Sequence, residues 1–185
     1  PQTFNAQEKK AAYYAMIELI DENVGRILDA LDRTGQRENT LIIFMSDHGE
    51  MLGDHGLLLK GCRFYEGLVH VPLIFSWPEQ LPAGRKTDAL VELTDIAPTL
   101  LCYAGLSVPP GCAGKNLDAL LRGTTETHRD EVRCEYYEAL SLLNPNRTDW
   151  ESSRATMIRT QRHKLVVYHR HELGELYDLE SDPLE

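Results

Sequence analysis

The chain predicts an α/β protein that ends in a small antiparallel sheet, and three observations predict it. An amphipathic stretch over residues 6–34 leads into a continuous apolar segment, Leu41-Ile42-Ile43-Phe44-Met45. A second apolar segment, Val71-Pro72-Leu73-Ile74-Phe75, follows a loop rich in glycine and aspartate. After about residue 124 the pattern changes to short segments with alternating, β-branched and aromatic content. A helix followed by a strand apolar on both faces belongs to a mixed, mainly parallel sheet with flanking helices. Alternation marks strands with one face in water. The chain is therefore expected to divide into an α/β part, 1–123, and a small antiparallel subdomain, 124–185.

Each element has its own signal. Over 6–34, Ala12, Met16, Leu19, Ile20, Val24, Ile27, Leu28 and Leu31 recur at three- and four-residue intervals and make one apolar stripe. Gly35 follows the last apolar turn as a C-cap. The two apolar segments are read as buried strands, with Pro72 near the start of the second, where a ladder donor is least missed. Residues 76–87 are turn-rich, and 89–92 is read as a short strand. Thr94 or Asp95 caps a helix running to about Ala104 and ended by Gly105. Pro98 falls in its first turn, where a missing N–H matters little. A single helical turn is expected over 117–121. Strands are expected over 132–137, 154–160, 164–169 and 175–179, with a polar loop over 144–153.

Composition narrows the function. Of 185 residues, 42% are hydrophobic and 26% charged, enough for one core or for a core and a small subdomain. No apolar run approaches the roughly 18–20 residues of a membrane-spanning helix. The net charge of −10, from 29 acidic against 19 basic residues, argues against a nucleic-acid partner. The one basic cluster, between Arg159 and His171, reads as the solvated face of a strand. Cys62, Cys102, Cys112 and Cys134 are widely spaced and are expected as free thiols. The start at Pro1 without methionine, and the end in LYDLESDPLE without a closing cap, read as those of a partial chain. Compartment is left open.

The chemistry concentrates in Ser46-Asp47-His48-Gly49-Glu50, then Gly53-Asp54-His55-Gly56 and Lys60. A carboxylate beside an imidazole at a strand's end can ligate a divalent cation. Successive strand side chains point to opposite faces, so Asp47 and His48 can share an ion only if the backbone turns between them. Gly49 is the residue expected to ease that turn. Lys60 can return over the site and offer positive charge to an anionic substrate. Metal plus lysine suits hydrolysis of a sulfate or phosphate ester, where charge builds on the leaving oxygens. Taken alone these residues also fit a hydrogen-bonded loop and a solvated lysine. Asp54 and His55 can equally just organise the loop, and His55 is kept as a second candidate substrate contact.

The runs LIIFMSDHGEMLGDHGLLLKG and FYEGLVHVPLIF resemble the sulfatase family of the alkaline phosphatase superfamily. The likeness continues through YYAMIELIDENVGRILDAL before them, TDIAPTLLCYAGL after them, and RATMIRTQRHKLVVY with ELYDLESDP near the end. The resemblance implies the C-terminal portion of an alkaline-phosphatase-like sandwich. It implies that Asp47 and His48 are metal ligands, with Ca²⁺ expected and Mg²⁺ or Mn²⁺ as alternatives. It makes Lys60 a catalytic, sulfate-contacting lysine. The family's nucleophile is a formylglycine made from Cys-x-Pro-x-Arg or Ser-x-Pro-x-Arg. None of CRFYE, CYAGL, CAGKN or CEYYE fits that motif, so the nucleophile is expected in an N-terminal half outside these residues.

Many sulfatases carry asparagine where this chain has His48. The histidine form is similar to iduronate and choline sulfatases and to phosphonate monoester hydrolases. The expected substrate is a sulfate ester of a glycan or small molecule. A phosphate or phosphonate ester hydrolase, and a noncatalytic glycan-binding relative, are the alternatives. An α/β sheet divided between two segments leaves apolar edges and helix faces uncovered, which predicts association with the N-terminal half or with another copy.

Overall fold

The computed structural model describes residues 5–137 and 154–185. The expected polar loop over 144–153 lies outside the described residues. The chain forms two compact units. The first comprises Pro1–Lys60 and Val71–Ala83, and the second Gly61–His70 and Gly84–Glu185. Residues 84–123 thus cluster with the C-terminal sheet, whereas the sequence reading placed a boundary after 123.

In the first unit, helix α1 spans Ala6–Arg33. The Asn5 side chain accepts from the Glu8 N–H at 3.3 Å, satisfying one donor of the first turn. At the other end Gly35 has φ +67°, and the Gln36 N–H donates to Leu31 O at 2.9 Å. This is the αL ending expected from that glycine. No residue of α1 is buried within this chain, and Met16, Leu19, Ile20 and Ile27 are each more than half exposed.

Strands β1 (Ile42–Met45) and β2 (Leu73–Ser76) follow the apolar segments. They pair antiparallel, with Ile42 opposite Ser76 and Met45 opposite Leu73. The sequence reading expected strands of a mainly parallel sheet covered on both faces. A short apolar run reports intended burial but carries no information on strand direction, and among the described residues both sheets are antiparallel. The α/β class holds. Phe44, Met45 and Ile74 keep exposed apolar surface, because two strands cannot cover their own faces.

The second unit contains the short helix α2 (Glu66–Val69), α3 (Ile96–Tyr103), α4 (Asp118–Leu121) and four strands. Helix α3 ends before Gly105 at φ +69°, and the single turn near 117–121 is present as α4. The strand expected at 89–92 is absent. That stretch leads without a ladder into a 3₁₀ turn at Leu93–Asp95, closed by reciprocal bonds between Glu92 and Asp95. Strands β3 (Val132–Tyr137), β4 (Arg154–Arg159), β5 (His163–Tyr168) and β6 (Leu173–Asp178) pair antiparallel in sequence order. Ala155, Met157 and Val166 form a buried core with Phe64, against which Cys62, Val69, Cys134, Tyr136 and Tyr168 pack.

Two buried polar clusters organise this unit, and neither was visible in the sequence. Asp95 is fully buried. It accepts from the backbone N–H of Glu92 (2.9 Å) and Lys115 (2.7 Å), from Nε and Nη2 along one edge of the Arg129 guanidinium, and lies 3.2 Å from His128 Nε2. Burial pushes its carboxyl up, but Arg129 and the backbone donors outweigh burial and hold it below the usual range. Lys164 is also fully buried, correcting the reading of its segment as a solvated face. The register places Lys164 and Val166 inward together, so the lysine needs buried partners. Its ammonium donates to Phe64 O at 2.9 Å and faces Glu66 Oε1 at 2.6 Å and Glu185 Oε1 at 2.5 Å. The Glu185 contact is an ion pair by distance, without hydrogen-bond alignment.

Candidate active site

The loop from the end of β1 to Lys60 carries the predicted residues, all within the first unit. Ser46 Oγ donates to His48 O at 2.7 Å, and Asp47 Oδ1 accepts from the His48 N–H at 2.9 Å. These two bonds fold the backbone at the point where a continued strand would have sent Asp47 and His48 to opposite faces. Asp47 Oδ2 then lies 3.6 Å from His48 Nε2. Gly49 contributes differently from expectation. It is not in the left-handed region; its carbonyl instead faces His48 Nδ1 at 2.8 Å.

That carbonyl fixes the tautomer. A carbonyl oxygen only accepts, so Nδ1 carries the proton and Nε2 presents its lone pair. Lys60 Nζ lies 2.6 Å from Nε2 and donates to it. The site therefore aims a cation at an imidazole lone pair beside a carboxylate. Asp47 is strongly exposed and His48 only partly so.

The segment between these residues is a closed loop. Its neck is the bond from the Met51 N–H to Leu59 O (3.2 Å), and inside it the Gly53 N–H donates to Leu57 O at 2.7 Å. Met51 is buried and anchors the neck. A 3₁₀ turn at Asp54–Gly56 forms the tip, and Lys10 of α1 reaches Asp54 Oδ1 at 3.3 Å. Three non-glycine residues have positive φ here: Leu52 at +48°, His55 at +54° and Leu59 at +62°. The fold brings Asp47, His48 and Lys60 together and gives His55 a place of its own on the exposed tip.

The donor set suits a divalent cation. One carboxylate oxygen and one imidazole nitrogen lie 3.6 Å apart, and a bound cation would take the Nε2 lone pair in place of the Lys60 ammonium. Among the described residues no three His, Cys, Asp or Glu side chains converge. Among those residues, too, no helix is long and apolar enough to cross a membrane.

Residues 1–106, carrying this loop and both strands, match the family model described as Sulfatase. The chain belongs to the sulfatase family. It is 35% identical over 181 residues to the N-acetylglucosamine-6-O-sulfatase of Bacteroides thetaiotaomicron, covering 97% of this chain and 31% of that protein. It is 36% identical over 179 residues to an arylsulfatase of Clostridium perfringens, covering 95% and 34% respectively. Among solved structures, the phosphonate monoester hydrolase of Agrobacterium radiobacter superposes with a TM-score of 0.83 at 36% identity, over 95% of this chain and 36% of that one. A protein solved in complex with its substrate D-glucosamine-2-N,6-O-disulfate superposes with a TM-score of 0.80 at 34% identity, over 92% and 34%. The chain spans about a third of the length of the curated relatives it matches. Its fold is the corresponding portion of the alkaline-phosphatase-like α/β fold.

Proposed function

We propose that this sulfatase-family chain supplies one wall of the active site of a sulfuric ester hydrolase. The observation that carries the reading is that one loop gathers Asp47, His48 and Lys60, with Lys60 Nζ 2.6 Å from the His48 Nε2 that a bound cation would occupy in its place. Asp47 and His48 are the residues that would hold a divalent metal. Ca²⁺ is the first expectation, and the imidazole keeps Mn²⁺ and Mg²⁺ open. When bound, such an ion supplies Lewis-acid polarisation of the ester oxygens.

The chain's own residues do the rest. Gly49 O holds the Nδ1 proton of His48, so the ring keeps one orientation and one tautomer. Lys60 offers a fixed positive charge for the oxygen that leaves. The nucleophile, a formylglycine, belongs to sequence outside these 185 residues. Sulfated glycans or small sulfate esters are the proposed substrates, supported by the glucosamine sulfatase relative and by the neighbour bound to a glucosamine disulfate. His55, on the exposed tip, is proposed as a more distant substrate contact. On its own the chain is expected to turn nothing over.

A second reading, phosphonate or phosphate ester hydrolysis, is favoured by the likeness to the phosphonate monoester hydrolase. The test is Lys60→Ala in the complete enzyme, assayed on aryl sulfate and aryl phosphate esters. A fall of about 100-fold or more in kcat is expected, on sulfate esters first. Parental kinetics would remove Lys60 from the mechanism. Greater activity on phosphate esters would favour the second reading, and tight glycan binding without hydrolysis a noncatalytic role.

A further inference from the structure

Leu59 is an unusual residue to find where it is. Its φ of +62° lies in the left-handed region, where the Cβ of an L-residue crowds the backbone. Its side chain is 68% exposed, so little burial offsets that cost. A glycine would meet the backbone requirement without strain, yet a leucine stands there. Strained backbone persists where its surroundings over-determine it, and such positions cluster at functional sites.

The carbonyl of Leu59 accepts from the Met51 N–H and closes the neck of the loop, with buried Met51 as the fixed point. Lys60 follows at once, and its ammonium donates to His48 Nε2. A residue in the β region at 59 would send the chain onward in an extended direction. The left-handed residue turns it, so that one peptide unit carries both the neck bond and the approach of Lys60 to His48.

We propose that Leu59 is a positioning residue. Its left-handed backbone, and not its side chain, sets Lys60 over His48. The inference rests on the proposed function for its activity readout, and the two can fail separately.

The experiment compares Leu59→Gly with Leu59→Ile in the complete enzyme, alongside Lys60→Ala. Glycine adopts the left-handed region freely, whereas β-branched isoleucine is a severe outlier there but keeps the apolar bulk. If backbone conformation matters, Leu59→Gly stays within about threefold of the parent in kcat. Leu59→Ile then loses about 100-fold, chiefly in kcat, the scale expected for an ångström-level misplacement of a reacting group. If the exposed side chain binds substrate instead, Leu59→Ile keeps activity, Leu59→Gly raises KM, and the proposal is overturned. Equal loss in both variants overturns it too. Melting temperatures of both variants identify any loss that comes from global unfolding. Should Lys60→Ala retain full turnover, the role proposed for Lys60 falls. Should Lys60→Ala be inactive while Leu59→Ile is not, only the positioning role falls.

Discussion

Glu66 Oε1 lies 2.6 Å from the ammonium of Lys164, a lysine with no exposed surface. Removing one member of a buried ion cluster leaves the others uncompensated, which costs more than the pair contributes. Lys164→Met is expected to destabilise the protein by about 3 kcal/mol, the lower end of that range. The reason for the lower end is that Glu66 keeps Arg159 at 3.1 Å. Urea unfolding measures this, and a loss below about 1 kcal/mol would show the cluster to be dispensable.

Glu66, Asp95 and Asp178 set an acid limit. Burial pushes Glu66 up, but the Lys164 hydrogen bond and the charges of Lys164, Arg159 and His70 bring it net below its usual value. Asp95 is lowered by Arg129 against burial, and partly exposed Asp178 is lowered to about 2, chiefly by its hydrogen bond with Arg162. A carboxylate lowered in the folded state binds its proton more readily when unfolded, so stability rises with pH across that interval. The contribution is complete above the unfolded values near 4 and is lost as pH falls through the folded values. Melting temperature should hold from pH 7 to 5 and fall steadily from about 4 towards 2. A flat profile there would contradict the assignment of these carboxylates.

Gly114 tests the packing around Asp95. A Cβ at this position would sit 1.9 Å from Thr94 O and 2.5 Å from Thr94 C, which is backbone and cannot swing aside. Gly114→Ala should therefore disturb the Lys115 N–H bond to Asp95 and cost about 2 kcal/mol, within the range for overpacking. Thermal unfolding measures it. An unchanged melting temperature would show that Gly114 does not pack tightly against Thr94.

Metal removal gives a test that does not depend on turnover. If Asp47 and His48 hold a divalent cation, chelation should lower the melting temperature of the complete protein. At a hundredfold excess of ion over its Kd the difference is about 2.7 kcal/mol. Asp47→Ala should shrink that difference, because it deletes one of the two proposed ligands. An Asp47→Ala variant that keeps the full metal response would place the ligands elsewhere.

Much of this was legible because the local pattern and the final fold agree. The 3.6-residue stripe gives α1, Gly35 and Gly105 give helix ends, and the β-branched alternation gives β3–β6. The sequence also brought Asp47, His48 and Lys60 forward as a set, and the structure joins them by contacts within one loop. What it could not carry were relationships between distant residues. Lys164 looks solvent-facing in His163-Lys164-Leu165 because its compensating groups, Phe64 O and Glu66, lie about a hundred positions earlier. The direction of β2 against β1 was hidden for a related reason, since apolar content fixes burial and not orientation. The positive φ of Leu59 was hidden because leucine gives no warning of it.

The order of β3–β6 has a kinetic consequence. Each strand pairs with its successor in the chain, and β4, β5 and β6 are joined through the short stretches 160–162 and 169–172. Such pairings close short loops and cost little entropy, so this meander can nucleate early. The Lys164 bonds to Phe64 and Glu66 close a loop of about a hundred residues and can form only when that remote segment arrives. The sheet's core is therefore complete only with the stretch after Lys60 in place, since Phe64 and Glu66 supply both its apolar lid and the lysine's partners.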